Sequence, residues 1–345
     1  MIAVVTGSTG FIGSHLVNAL LARGATVRAL YRQETPASAR DPRLDAHEAD
    51  LLDDRSVRES MVWQGATHLF HLAGITKGRT LAQMRAGNVF PTANLLAAVA
   101  AQAGPLPRVV LVSSLAAAGP ASSANTPVRE SDRPTPIEDY GRSKLQAEQA
   151  VERYRSQLAV TIVRPAAVYG PRDGDFAAAF RQATRRVAFH AAPRDQQFSI
   201  VHVEDLARAL ILAGETPAAT GQTYFVADET PTTWREIYSL VATEAGVKPI
   251  EIQLPLSVLR LAAGAVDLLG ALTGHTGLLN GNKVALARPR WWLCDASRAR
   301  AELGWRAEVS LQAGIRETYL WYLEQGWLRR PKRSQTQHTP EESNA

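Results

Sequence analysis

Residues 6–13 read TGSTGFIG, between the apolar run IAVVT (2–6) and the stretch FIGSHLVNALLARG (11–24). The first run has the composition of a buried strand, and the second places apolar residues at helical spacing. Gly7, Gly10 and Gly13 stand three apart at the junction. Glycine permits a tight turn there and lets backbone amides approach an anion, and the helix N-terminus behind the turn favours negative charge. A glycine triplet alone is weak evidence. One at a strand-to-helix junction near residue 1 is a much stronger signal for a pyrophosphate loop.

The pattern continues outward. Strand-like runs follow at TVRALY (26–31), THLFHLA (67–73), RVVLVSS (108–114) and AVTIVRP (159–165). Helical patterns at 11–24, 81–103 and 139–156 lie between them. Alternating strands and helices predict an α/β chain with a doubly wound parallel sheet, the Rossmann arrangement. After Pro165 the rhythm breaks, and SIVHVEDLARALILA (199–213) briefly restores it. The expected organisation is a dinucleotide-binding core over 1–165, with 197–215 returning to it. A smaller, mostly helical C-terminal substrate lobe is expected over 166–196 and 216–328, and a disordered polar tail over 329–345.

The formal net charge is +5, and no dense basic run precedes residue 329. That balance speaks against a nucleic-acid partner. Cys294 is the single cysteine, so no intrachain disulfide is possible, and no Cys/His cluster suggests a metal site. The N-terminus lacks the basic flank and length of a signal peptide. Together these features predict a cytoplasmic protein. The stretch LPLSVLRLAAGAVDLLGALTG (254–274) is interrupted by Pro255, Arg260 and Asp267, so it reads as an amphipathic helix. Packing on the core is the favoured reading, with a membrane surface or a greasy pocket as the alternative.

Two further stretches bear on chemistry. PIEDYGRSKLQAE (136–148) sets Tyr140 and Lys144 four apart, on one helical face. The second strand ends in Tyr31-Arg32, where an NAD-binding chain of this architecture usually carries an acid. The Arg32 guanidinium suits a 2′-phosphate, so NADP is preferred over NAD; the alternative is a solvated arginine. Asp50 is a candidate for the adenine edge, with Leu51 beside it; the alternative for Asp50 is a helix cap.

In order, TGSTGFIG, HLAG (71–74), NVFPTANLL (88–96), VSS (112–114), YGRSK (140–144), RPAAVYGP (164–171), IVHVEDLA (200–207) and LGW (303–305) resemble an extended short-chain dehydrogenase/reductase of the NAD-dependent epimerase/dehydratase superfamily. The later layout is similar to the branch holding hydroxysteroid dehydrogenases and dihydroflavonol reductases. The resemblance covers residues 1–328. It implies that Tyr140 is the catalytic acid/base and that Lys144 binds the nicotinamide ribose and lowers the tyrosine pKa toward neutrality. It implies that Ser114, rather than Ser113, bonds the reacting oxygen, and that Asn88 supports the lysine through backbone and water. Cofactor contact is implied for Gly7, Thr9, Gly10, Phe11, Ile12 and Gly13, for Arg32, Asp50 and Leu51, and for Leu72, Ala73 and Gly74. The same holds for Tyr140, Lys144, Pro165, Ala167 and Val168. His71, His202 and Asp205 read as structural. Many relatives dimerise through the helices corresponding to 81–103 and 139–156, so a homodimer is expected.

The resemblance leaves the reaction open. Net reduction of a hydrophobic carbonyl fits Arg32 and the apolar stretch 254–274. A nucleotide-sugar epimerase is the alternative, with Arg172, Arg181, Arg185 and Arg186 available to a diphosphate. A dehydratase ranks low, because Ser114-Leu115-Ala116 carries no acidic pair. A non-catalytic cofactor-binding scaffold is a third reading, though such relatives usually lose the tyrosine or lysine that this chain keeps.

Overall fold

A computed structural model describes residues 1–32, 41–185, 187–190, 196–248, 250–253 and 287–330. The expectations for 254–274, for Arg186 and for the tail beyond Arg330 concern residues outside the described ones.

The first six strands are β1 (Ile2–Thr6), β2 (Thr26–Tyr31), β3 (Leu44–Glu48), β4 (His68–His71), β5 (Arg108–Val112) and β6 (Val160–Pro165). They are followed by β7 (Ala167–Tyr169), β8 (Val187–His190), β9 (Gln197–Phe198), β10 (Ile200–His202) and β11 (Thr223–Val226). The main sheet has seven strands in the order β11-β6-β5-β4-β1-β2-β3, and every neighbouring pair is parallel. The order reverses between β1 and β4, which opens a crevice at their carboxyl ends, beside Thr6 and His71.

The helices are α1 (Phe11–Ala22), α2 (Asp54–Ser60), α3 (Leu81–Ala100), α4 (Leu115–Ala118), α5 (Asp139–Val151), α6 (Ala177–Ala183), α7 (Val203–Glu215) and α8 (Trp234–Ala245). Helices Ser297–Leu303 and Leu311–Glu324 follow. Side chains alternate across a strand, so β1 feeds two cores. Ala3 and Val5 pack with α1 and α7 on one face, while Val4 packs with Leu95, Val99 and Val151 on the other. A third cluster joins Phe176 and Phe180 to Ile237, Val241 and Tyr322.

One expectation needs correcting. Residues 216–328 are not all separate from the sheet, because β11 pairs with β6. Helix Ser297–Leu303 and Trp305 also pack in the core beside α7, through Ala299 and Leu303. The reason is physical. β6 is buried along its whole length, so its outer backbone groups need a partner, and β11 supplies one. Trp305 donates its indole N–H to the Asp205 carbonyl at 2.8 Å. The Asp205 carboxylate accepts from the amides of Glu308 and Val309.

Candidate active site

The glycine loop is shaped by close backbone approach. Gly7 has φ +68°, and a Cβ there would stand 2.8 Å from the Ala73 nitrogen. A Cβ on Gly13 would stand 2.0 Å from the Gly7 carbonyl oxygen. Loop, strand and helix therefore meet only through glycine. Gly10 begins α1 without a side-chain cap, and the first turn of the helix holds no acid. With the dipole of α1 behind it, this loop fits an anionic group such as a pyrophosphate. Thr9, Phe11 and Ile12 lie on the same turn.

The Ser8 hydroxyl donates to the Leu30 carbonyl at 2.9 Å, which binds the loop to the end of β2. Arg32 is exposed two residues further on. Asp50 does not cap α2. Its carboxylate accepts from the Leu52 amide at 2.9 Å, and Asp53 caps the helix by accepting from Arg55. Leu51 is buried in the core beneath.

After β4, Leu72 and Ala73 donate their amides to the Thr6 hydroxyl oxygen, each at 3.2 Å. Thr6 also meets His71 Nδ1 at 2.7 Å, and His71 Nε2 meets Thr92 at 2.9 Å. Thr92 donates to the Asn88 carbonyl, so one proton arrangement satisfies the whole chain: His71 is neutral and protonated on Nε2. Burial, reinforced by the Lys144 charge, pushes the His71 pKa down to about 3.

Asn88 fastens two elements. Its Oδ1 accepts from the Ile75 amide at 2.8 Å, and its Nδ2 donates to the Ile75 carbonyl and to Ser143 Oγ. The loop holding Gly74 is thereby tied to α5, one residue before Lys144. Among the described contacts Asn88 does not touch Lys144 itself.

α5 starts beneath Tyr140 because Glu138 caps it, accepting from the amides of Tyr140 and Gly141. Ser114 caps α4, its Oγ accepting from the Ala116 amide at 3.1 Å, and its hydroxyl acts on the Tyr140 phenol in the direction that favours phenolate. The Ser113 hydroxyl points elsewhere and donates to Glu148. Lys144 is buried, and its ammonium donates to the Val112 carbonyl at 2.6 Å. Burial lowers its pKa to about 8, against the opposing pull of Glu148.

Burial pushes the Tyr140 pKa up to about 12, opposed by the Ser114 hydroxyl and assisted by the negative charges of Glu138 and Asp175. The lysine ammonium that would lower it is turned toward Val112. Asp175 is paired with Lys77 at 2.7 Å, which links the segment after β7 to the segment after β4.

Pro165 ends β6, and Ala167 and Val168 form β7 with partly exposed side chains. Arg172 adopts φ +75°, while Arg181 and Arg185 are exposed.

Several residues that shape the site were not singled out from the sequence. They are Thr6, Thr92, Glu138, Glu148 and Arg164. Glu148 and Arg164 left a signal: an arginine inside the apolar run VTIVRP needs a buried partner, and Glu148 lies one turn beyond Lys144 on the same face.

The sequence profile of the NAD dependent epimerase/dehydratase family matches residues 3–227. The ceramide reductase of Caulobacter vibrioides is 31% identical over 329 residues, covering 95% of this chain and 96% of that protein. The 4-hydroxy-2-methyl-3-oxo-4-farnesyl-3,4-dihydroquinoline-1-oxide ketoreductase of Stigmatella aurantiaca is 29% identical, over 90% of this chain and 93% of that one. The solved structure of MoeE5 in complex with UDP-glucose and NAD is 25% identical with a TM-score of 0.75, covering 94% of this chain and 99% of that chain.

Proposed function

The chain belongs to the NAD dependent epimerase/dehydratase family, the extended short-chain dehydrogenases/reductases. From that membership and the geometry around Tyr140, we propose that it reduces the carbonyl of a hydrophobic substrate. The observation that carries this reading is Tyr140 and the buried Lys144 one turn apart on α5, with Ser114 at the head of α4. A bound nicotinamide dinucleotide would supply the hydride. Gly7, Thr9, Gly10, Phe11, Ile12 and Gly13 would hold its pyrophosphate, with Asp50 and Leu51 at the adenine end and Leu72, Ala73 and Gly74 along its path. Pro165, Ala167 and Val168 would meet its nicotinamide end. Arg32 would favour the 2′-phosphate, so NADP is the preferred form.

The chain's own residues handle the proton. Ser114 and Tyr140 bond the carbonyl oxygen, and Tyr140 donates its proton as the oxygen gains charge. A high tyrosine pKa suits this direction, because the phenol that must donate is the resting form. Lys144 keeps two N–H groups beyond the one given to Val112, enough to hold a ribose hydroxyl. Asn88 holds the loop and α5 in register.

The names of two relatives, a ceramide reductase and a ketoreductase of a farnesyl-bearing compound, support an apolar substrate. The test is NADPH oxidation with long-chain and polycyclic ketones. Tyr140→Phe should lower the rate by about 10²–10⁴-fold, the usual worth of a positioned general acid. The rate should hold at neutral pH and fall above about 8, as Lys144 loses its proton. Interconversion of UDP-hexoses with no net NADPH consumption would overturn the reading in favour of an epimerase. The expected homodimer belongs to the same proposal. Phe90 on α3 is 54% exposed, and sedimentation at twice the monomer mass is the result to look for.

A further inference from the structure

Further along α5 from Tyr140 lies a charged cluster that the proposed proton transfer does not use. Glu148 is 6% exposed and Arg164 5%. Arg164 grips both carboxylate oxygens, with Nε at 2.9 Å from Oε1 and Nη2 at 2.6 Å from Oε2. Ser113, next to Ser114, donates to the same carboxylate. The Arg164 guanidinium also stands over the Phe225 ring of β11, 5.6 Å from its centroid. Two buried cations, Lys144 and Arg164, thus share one buried anion. The fork and the serine occupy the carboxylate, and the Lys144 ammonium bonds Val112 instead. Glu148 therefore acts on Lys144 through space.

We propose that Glu148, clamped by Arg164 and Ser113, is a positioning residue that supplies the counter-charge for the Lys144 ammonium and ties the strand leading to Ser114 to the helix bearing Tyr140. This rests on the roles given above to Tyr140, Lys144 and Ser114. No other acid reaches Lys144 among the described contacts. β4 brings His71, which is neutral. β5 brings the Val112 carbonyl and Ser113, α3 brings Asn88, and β6 brings Arg164. Its own helix brings Tyr140 as a phenol and Glu148. Burial opposes the ammonium and Glu148 supports it.

The experiment follows Lys144 directly in the full-length protein, by NMR of ¹³C-labelled lysine across pH, with Lys144→Arg identifying the signal. Glu148→Gln keeps the shape and removes the charge. It should lower the Lys144 midpoint by about one pH unit or more. Arg164→Met removes the competing cation and frees the carboxylate, so it should raise the midpoint. Glu148→Asp, which restores the charge, should return the midpoint toward wild type. A structural clamp with no electrostatic role would move the midpoint in neither direction, and that result overturns the proposal. If Glu148→Gln does not fold, the sign of the Arg164→Met shift decides, and no rise refutes the idea. The titration does not depend on turnover. Midpoints that move as expected while no ketone is reduced would leave this inference standing and remove the proposed reaction.

Discussion

Beside β4 the interior holds a neutral chain, Thr6, His71 and Thr92, closed by the Asn88 carbonyl. Beside β5 and β6 it holds three charges, Lys144, Glu148 and Arg164, closed by Ser113. Both clusters are buried, but they carry different risks. The neutral chain costs little to bury once each donor has its acceptor. The charged cluster is costly to desolvate and keeps a surplus positive charge close to the proposed chemistry. The contrast separates two tasks: hydrogen bonds fix where the backbone lies, and buried charge fixes the potential there.

The largest effect should come from breaking the charged side. Glu148→Ala strands two buried cations and should cost ~3–5 kcal/mol, read from the urea midpoint. Arg164→Met should cost less, because Lys144 remains as a partner for Glu148. A loss below ~1 kcal/mol for Glu148→Ala would break the contrast. The neutral side should yield less. His71→Ala removes one link from each threonine and should cost ~1–3 kcal/mol.

The acid limb of stability sharpens the comparison. The His71 pKa falls from 6.5 to about 3 in the fold, so below 6.5 the unfolded chain takes up the proton first. Its contribution is complete above pH 6.5 and is lost as pH falls toward 3, with a slope up to ~1.4 kcal/mol per pH unit. His202, lowered to about 4 by burial, acts with the same sign. His71→Asn should flatten that limb, and an unchanged limb would show that the neutral chain has no such role. The smallest effect is expected for Lys77→Ala. It breaks an exposed pair and should shift stability by no more than ~0.5 kcal/mol.

Local patterns were enough to read the glycine loop, five of the six strands up to Pro165 (all but β3, Leu44–Glu48) and the Tyr140–Lys144 spacing. Each depends on neighbours in sequence: a turn, a period of two, a helical face. What escaped depends on pairs distant in the chain. Arg164 meets Glu148 only when β6 and α5 have packed, and Thr6 meets His71 only across β1 and β4. β9 holds two residues, too few for periodicity to register. The charges that bear on the Tyr140 phenol from a distance in the chain, such as Asp175, are likewise set by tertiary contacts.

The placement of β11 beside β6 also bears on how the protein is made. A chain is synthesised from its N-terminus, and β6 leaves the ribosome roughly 60 residues before its outer partner is complete, an interval of several seconds at ordinary elongation rates. During that time an apolar strand carrying a cation has an open edge, and the cation lacks the Phe225 ring that will lie beneath it. The nascent sheet is thus most vulnerable to pairing with another chain just before Val226 emerges.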